Sequence, residues 1–371
     1  MTGAMSKRRG PDSQSQGKRP RTSSKKHLYL VLDDWDNGYS IHKIDLACCH
    51  SDSGGDNACT DHRLPEPPAL RLKEPFRAHF VAVGSNIVVV NSPRRSSEAP
   101  STLIYDTAAA TLAIGAHVPG RLAGPAVAVA ARDAVYALTT LGGGLPLSLE
   151  ALSWAPCTGH AEAPGLPPHE WSWKSVPAPP PPFGEEKAVA SYAVHPDGHT
   201  VFLSVHDGDE PRHGEATYSF DAGRGEWRCH GEWALPFQGQ GHFDAELDAW
   251  VGLHKEEGYV CTCQVVSRRG KAAAPPDSDK VGEKLFCKGD KEEHLGATLT
   301  YMGDSKFCLV ESVVREDAEM GNAHDGFVIH VTIFGLEFNR KGKLQTTNHH
   351  TTTSYVVSKS VQSFSPLAFW I

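Results

Sequence analysis

Apolar residues in this chain come in short runs, and polar turns bearing glycine, proline, aspartate or asparagine separate them. The stretch from Ala216 to Leu253 shows the grammar in full. Thr217–Phe220 is β-type, Asp221–Gly225 reads as a turn, and Glu226–His230 is a second β-type run carrying Trp227. After Leu235-Pro236 come a strand around His242–Ala245, a turn at Leu247-Asp248 and a strand over Trp250–Leu253. Four short strands on tight turns predict one blade of a β-propeller.

The pattern recurs. Hairpins are predicted for Phe80–Val83 with Ile87–Val90, Ala126–Ala130 with Ala134–Leu138, Ala190–Val194 with Thr200–Val205, and Leu295–Tyr301 with Lys306–Glu311. Together with the Leu247-Asp248 hairpin, their turns centre near 85, 132, 197, 248 and 304, which are 47, 65, 51 and 56 residues apart. A period of that size belongs to kelch-like blades. The long interval holds Gly142–Pro146 and Ala163–Pro182, glycine- and proline-rich insertions that expand its loops. Between the hairpins lie outer strand pairs, predicted at Leu103–Tyr105 with Leu112–Ile114, Tyr218–Phe220 with Trp227–Cys229, and Phe327–Phe334 with Gly335–Phe338. In Tyr105-Asp106 and Phe220-Asp221 the aspartate can cap the following turn while the aromatic packs between blades.

At the front, His27–Leu32 and Tyr39–Leu46 flank Asn37-Gly38, a hairpin signal, and Pro67–Leu72 reads as a third strand. The last β-type run, Ser354–Ser360, has nothing after it to pair with. It is predicted to join the strands from His27 onward, closing a blade from both chain ends and removing exposed edges. The expected fold is all-β: a kelch-like β-propeller closed by N- and C-terminal strands, six-bladed, with five or seven blades as alternatives.

Charge divides the chain in two. Residues 1–26 carry eight basic residues and one acid, Asp12, a local +7 that leaves −15 on the other 345 residues of a chain whose total is −8. That tail lacks apolar periodicity and is expected to be disordered, with 27–371 as a single domain. Lys7, Arg8 and Arg9 with Lys18, Arg19 and Arg21 have the look of a bipartite nuclear import signal, so a nuclear or nucleo-cytoplasmic protein is expected, with a cytoplasmic one as the alternative. The acidic body argues against nucleic-acid binding by the main domain. Nine cysteines without a disulfide rhythm, and no apolar leader, predict reduced thiols. The most apolar window, Leu122–Leu138, is broken by Arg132 and Asp133, so no membrane span is predicted.

LYLVLDDW at 28–35, GYSIHKIDL at 38–46, HPDGHTVFLS at 195–204, the block 217–253 and HLGATLTYMGDSKFCLVE at 294–311 resemble a plant family, chiefly from grasses, catalogued as domain of unknown function 1668. The basic opening is similar too, so the resemblance spans nearly the whole chain. It implies a kelch-like propeller without an assigned activity, and kelch proteins bind partners through loops on the propeller faces. The chain departs from the kelch pattern in lacking a regular Gly-Gly doublet per blade, and residues 1–26 are too short and polar for an F-box to be expected there.

Candidate chemistry is sparse. Cys48-Cys49-His50 with Cys59 and His62 offers thiolates and imidazoles, but not at the CxxC or HxxxH spacing of a zinc clip, so no metal is predicted. Cys261 and Cys263 share one face of a strand and are expected to pack. Asp33/Asp34, Asp207/Asp209/Glu210 and Asp244/Glu246/Asp248 could do acid–base work or hold calcium, yet turn chemistry accounts for them. No GxSxG, HExxH, Walker A or GxGxxG motif occurs. Tryptophans either wedge between blades or anchor a partner; Trp171, Trp173 and Trp233 are the candidate anchors. The sequence therefore predicts a non-catalytic protein–protein interaction scaffold without cofactor. An enzyme or a carbohydrate-binding lectin using the central pocket is the alternative.

Overall fold

The computed structural model describes residues 25–33, 38–46, 62–73, 78–91, 100–122, 125–139, 147–156, 169–176, 187–208, 214–270, 274–289, 294–314, 327–347, 350–357 and 366–371. The tail through residue 24, the Cys48–Cys59 cluster, Asp34, Asp209 and Glu210 lie outside them. No α-helix occurs among the described residues, and so none long or apolar enough to cross a membrane.

The strands, in chain order, are β1 (Leu28–Asp33), β2 (Tyr39–Ile44), β3 (His62–Arg63), β4 (Leu70–Leu72), β5 (Ala78–Val83), β6 (Asn86–Asn91), β7 (Ser101–Asp106), β8 (Thr111–His117) and β9 (Pro125–Ala131). Next are β10 (Ala134–Thr139), β11 (Leu149–Pro156), β12 (His169–Val176), β13 (Lys187–Val194), β14 (Thr200–Asp207), β15 (Ala216–Asp221), β16 (Glu226–Gly231), β17 (Phe237–Asp244) and β18 (Ala249–His254). Last are β19 (Val260–Gln264), β20 (Ser278–Lys280), β21 (His294–Gly303), β22 (Lys306–Val314), β23 (Phe327–Phe338), β24 (Leu344–Thr346), β25 (Thr351–Val357) and β26 (Leu367–Trp370).

They form four-stranded antiparallel meanders: β5 to β8, β9 to β12, β13 to β16, and β17 to β20. Another runs β21-β22-β23-β25, with β3 beside β25 and β24 beside β23. The remaining one is assembled from both ends of the chain, in the order β26-β1-β2-β4. The β13 and β17 meanders are further joined by a parallel pairing of Ser191–Ala193 with Gly239–Gly241.

Side chains alternate across each strand, and both faces of the inner strands are covered. Leu28, Leu30 and Leu32 of β1 pack with Val310, Ile329 and Val331, whereas Tyr29 and Val31 pack with Phe80, Ile87 and Val89. Burial on two faces explains why these strands read as unbroken apolar runs rather than as alternation. Further apolar clusters join the β5 and β9 meanders, the β9 and β13 meanders, the β13 and β17 meanders, and the β17 and β21 meanders.

Three sequence expectations are corrected. The stretch Ala216–Leu253 is not one unit: β15 and β16 end one meander, and β17 and β18 begin the next. Phe327–Phe334 and Gly335–Phe338 are not a strand pair either, since β23 runs through both, pairing first with β25 and then with β24. A Cβ at Gly335 would stand 2.7 Å from Thr347 Oγ1, so the glycine marks a close approach. Finally, Ser354 belongs to β25, which pairs with β23 and β3. The strand that meets β1 is β26, with Leu28 opposite Trp370 and Val31 opposite Leu367.

Candidate functional site

One cavity of about 420 Å³ is lined by the first strand of every meander, with residues from β5, β9, β13, β17, β21 and β26. That size falls within the ordinary range of small-molecule sites. Gly239 (φ +64°) lies in a bulge of β17 between Gln238 and His242, where register with β18 is lost, and so sets the wall locally.

The lining is neutral. Among the described lining residues none is Asp, Glu, Lys, Arg or Cys. His242 donates through Nε2 to the Leu299 carbonyl at 2.9 Å, and withdrawal from bulk water lowers its pKa despite that bond. At neutral pH the ring is therefore uncharged. Burial pushes the Tyr192 hydroxyl up to about 12. Tyr301 is also pushed up to about 12, by burial first and by the neighbouring Asp244 carboxylate second. Thr300 Oγ1 is committed to the Ala368 carbonyl at 2.7 Å, tying β21 to β26. Such a lining can hydrogen-bond an uncharged ligand; it offers no acid–base pair.

The aspartates do turn work. Asp106 Oδ1 accepts from the backbone N–H groups of Ala108 and Ala109, and Asp221 Oδ1 from those of Gly223 and Arg224. Tyr105 and Phe220 are buried between meanders, as the sequence predicts for these aromatic–Asp pairs. Asp244 caps Glu246 and Leu247, and the Ser305 hydroxyl is 2.9 Å from it and 3.0 Å from Glu246. Asp207 pairs with Lys187. Cys261 and Cys263 are both fully buried, and burial pushes their thiols up, so they pack.

The three candidate anchors separate. Trp233 is only 5% exposed and sits between the β13 and β17 meanders, so it fills the wedge role and not the contact role. Trp173 is half-buried, its indole N–H donating to Thr102 Oγ1 at 2.9 Å. Trp171 is half-buried too, but its ring lies 5.7 Å from that of Trp154. Trp154, 54% exposed, also stacks with His169 at 6.2 Å. On the outermost strand of the preceding meander, Ile114 is 75% and Leu112 43% exposed. The β8 and β12 edges adjoin, and Trp154 and Trp171, cross-strand partners on β11 and β12, form an aromatic ledge with His169. Leu112 and Ile114 stand on the other face of β8, opposite Tyr105 and Leu103. Sequence reasoning missed Trp154, Leu112 and Ile114, because which face of an outer strand pair stays uncovered is not a local property.

Against this geometry, a family profile described as a protein of unknown function, DUF1668, matches residues 25–355. The chain belongs to the DUF1668 family. No curated protein matches it in sequence. Among solved structures, the chain is similar to a protein from Lactobacillus plantarum at 10% identity and TM-score 0.46, covering 93% of this chain and 99% of that one. It is similar to a Bacteroides uniformis protein provisionally assigned as a 6-phosphogluconolactonase, at 11% identity and TM-score 0.42, covering 94% and 100%. A third likeness is to Hsv2 of Kluyveromyces lactis, at 10% identity and TM-score 0.39, covering 88% and 84%.

Proposed function

We propose that this DUF1668 chain is a six-bladed, kelch-like β-propeller that acts as a non-catalytic protein–protein interaction scaffold, delivered to the nucleus by its basic tail. The ring is supported by the cavity that every first strand lines, and by apolar clusters that join each meander to the next and the last back to the first. The scaffold reading rests on two exposed apolar features, the aromatic ledge of Trp154 and Trp171 on β11 and β12, and Leu112 and Ile114 on β8. Large aromatic and aliphatic side chains left in contact with water on these strands mark a surface that a partner covers.

The test is quantitative proximity labelling in plant cells with the full chain, the double variant Ile114→Ser/Trp154→Ser, and a chain lacking residues 1–26. The double variant should melt like the parent and lose a discrete set of labelled proteins. The tail deletion should shift labelling out of the nucleus. An identical set from parent and double variant would contradict the scaffold reading. An unchanged distribution after tail deletion would contradict import. The cavity supports a second reading, a lectin-like site for an uncharged ligand, because its hydrogen-bonding lining is neutral.

A further inference from the structure

Outside its tail the chain is strongly acidic, yet four arginines line one niche of about 80 Å³. Arg224 and Arg228 come from the β15–β16 turn and β16; Arg268 and Arg269 come from the segment after β19, in the next meander. Asp221 and Glu226 complete its charged wall.

The segment carrying Arg268 and Arg269 is strapped onto β16. Arg228 Nη1 donates to the Arg269 carbonyl at 3.2 Å, and His230 Nδ1 lies 3.1 Å from the Gly270 carbonyl. Two of the four cations are already committed. Arg268 Nη1 is 2.9 Å from Asp197 Oδ2, and Arg224 Nε is 3.9 Å from Asp221 Oδ2. Burial works against the ionised Asp197, but the backbone N–H groups of His199 and Thr200 and the Thr200 hydroxyl outweigh it and hold the group below the usual carboxylate range. Among the described residues, Arg228 and Arg269 have no carboxylate within ion-pair distance, and both are exposed. Like charges brought together on rigid supports call for an anion between them.

We infer that this niche binds a phosphomonoester carried on a side chain of a protein partner. Its volume of about 80 Å³ has room for a tetrahedral oxyanion. A carboxylate, with two oxygens, is filled by a single guanidinium fork; the three terminal oxygens of a phosphomonoester can engage two. The acidic body is repelled by an anionic membrane surface, which favours a protein-borne phosphate over a lipid headgroup. The inference names a partner class for the scaffold and in that respect rests on that reading, but the niche can be tested without the ledge.

The experiment titrates the purified full chain with N-acetyl-phosphoserine amide, N-acetyl-serine amide and N-acetyl-glutamate amide, and separately with phosphatidylcholine vesicles containing a phosphatidylinositol phosphate. Saturable binding of the phosphoserine probe alone is expected, competed by inorganic phosphate and weakened with rising salt. Arg228→Gln/Arg269→Gln should weaken it by about tenfold or more without changing the melting temperature. If the double variant misfolds, Arg269→Gln alone should still weaken binding severalfold. No binding, equal binding of the glutamate probe, binding to vesicles alone, or full affinity in folded variants would each overturn the assignment. Loss of phosphoserine binding with the ledge-dependent labelling intact would remove the niche and leave the scaffold. The converse would remove the scaffold and leave the niche.

Discussion

At the scale of single residues, buried imidazoles make the fold sensitive to acid. His230 is fully buried, held between the Gly270 carbonyl and Ser219 Oγ, and burial lowers its pKa below the usual 6.5. His195 and His242 shift the same way for the same first reason. A depressed imidazole pKa means that the unfolded chain takes up the proton first as pH falls. Stability is therefore full above about 6.5 and declines as pH drops from there through the folded-state values. Thermal melts between pH 8 and pH 5 should show a falling melting temperature, and His230→Gln should flatten part of that slope; an unchanged slope would contradict the role given to His230. Residue-level legibility was uneven. The aspartate caps at Asp106 and Asp221 could be read because side chain and target lie within three residues. The fate of Trp233, Trp171 and Trp154 could not, since it depends on which strand is outermost and which neighbour covers it.

At the scale of elements, local signals found the hairpins and missed the exceptions. Gly84-Ser85, Arg132-Asp133, Pro196–Gly198 and Asp304-Ser305 all form the turns that the pattern predicts, several with a positive-φ residue. Gly335 misled because a glycine inside an apolar run reads as a boundary between two strands, whereas it marks a close approach within one. β26 was overlooked because four residues after a proline carry little pattern, although tertiary pairing is enough to order them. The Gly252 position allows an element-level prediction. Phe237 of β17 lies against β18, and a Cβ at Gly252 would meet its ring at 2.6 Å, with Gly241 closed off by the same ring. Gly252→Ala should therefore force Phe237 out of a fully buried site and cost about 1–3 kcal/mol, read by denaturant unfolding. A variant as stable as the parent would show that the ring has room to move.

At the scale of the whole molecule, the period of about fifty residues made the all-β, repeated architecture legible, and the expectation that both chain ends share one sheet holds with a different strand. The cavity was not legible, because its lining gathers short stretches from six distant strands. The joint between the chain ends holds their shared sheet together. His27 N donates to the Ile371 carbonyl at 2.7 Å, Ile371 N to the His27 carbonyl at 3.1 Å, and β26 supplies Ala368 to the core beside Leu28 and Leu30. Removing β26 would bare the backbone edge of β1 and open two apolar interfaces at once. The most direct measurement is thermal unfolding of a chain ending at Pro366. Closure through β26 predicts an insoluble product, or one whose cooperative transition is lost or moved far down in temperature. A soluble chain that melts like the full-length protein would contradict the closed ring.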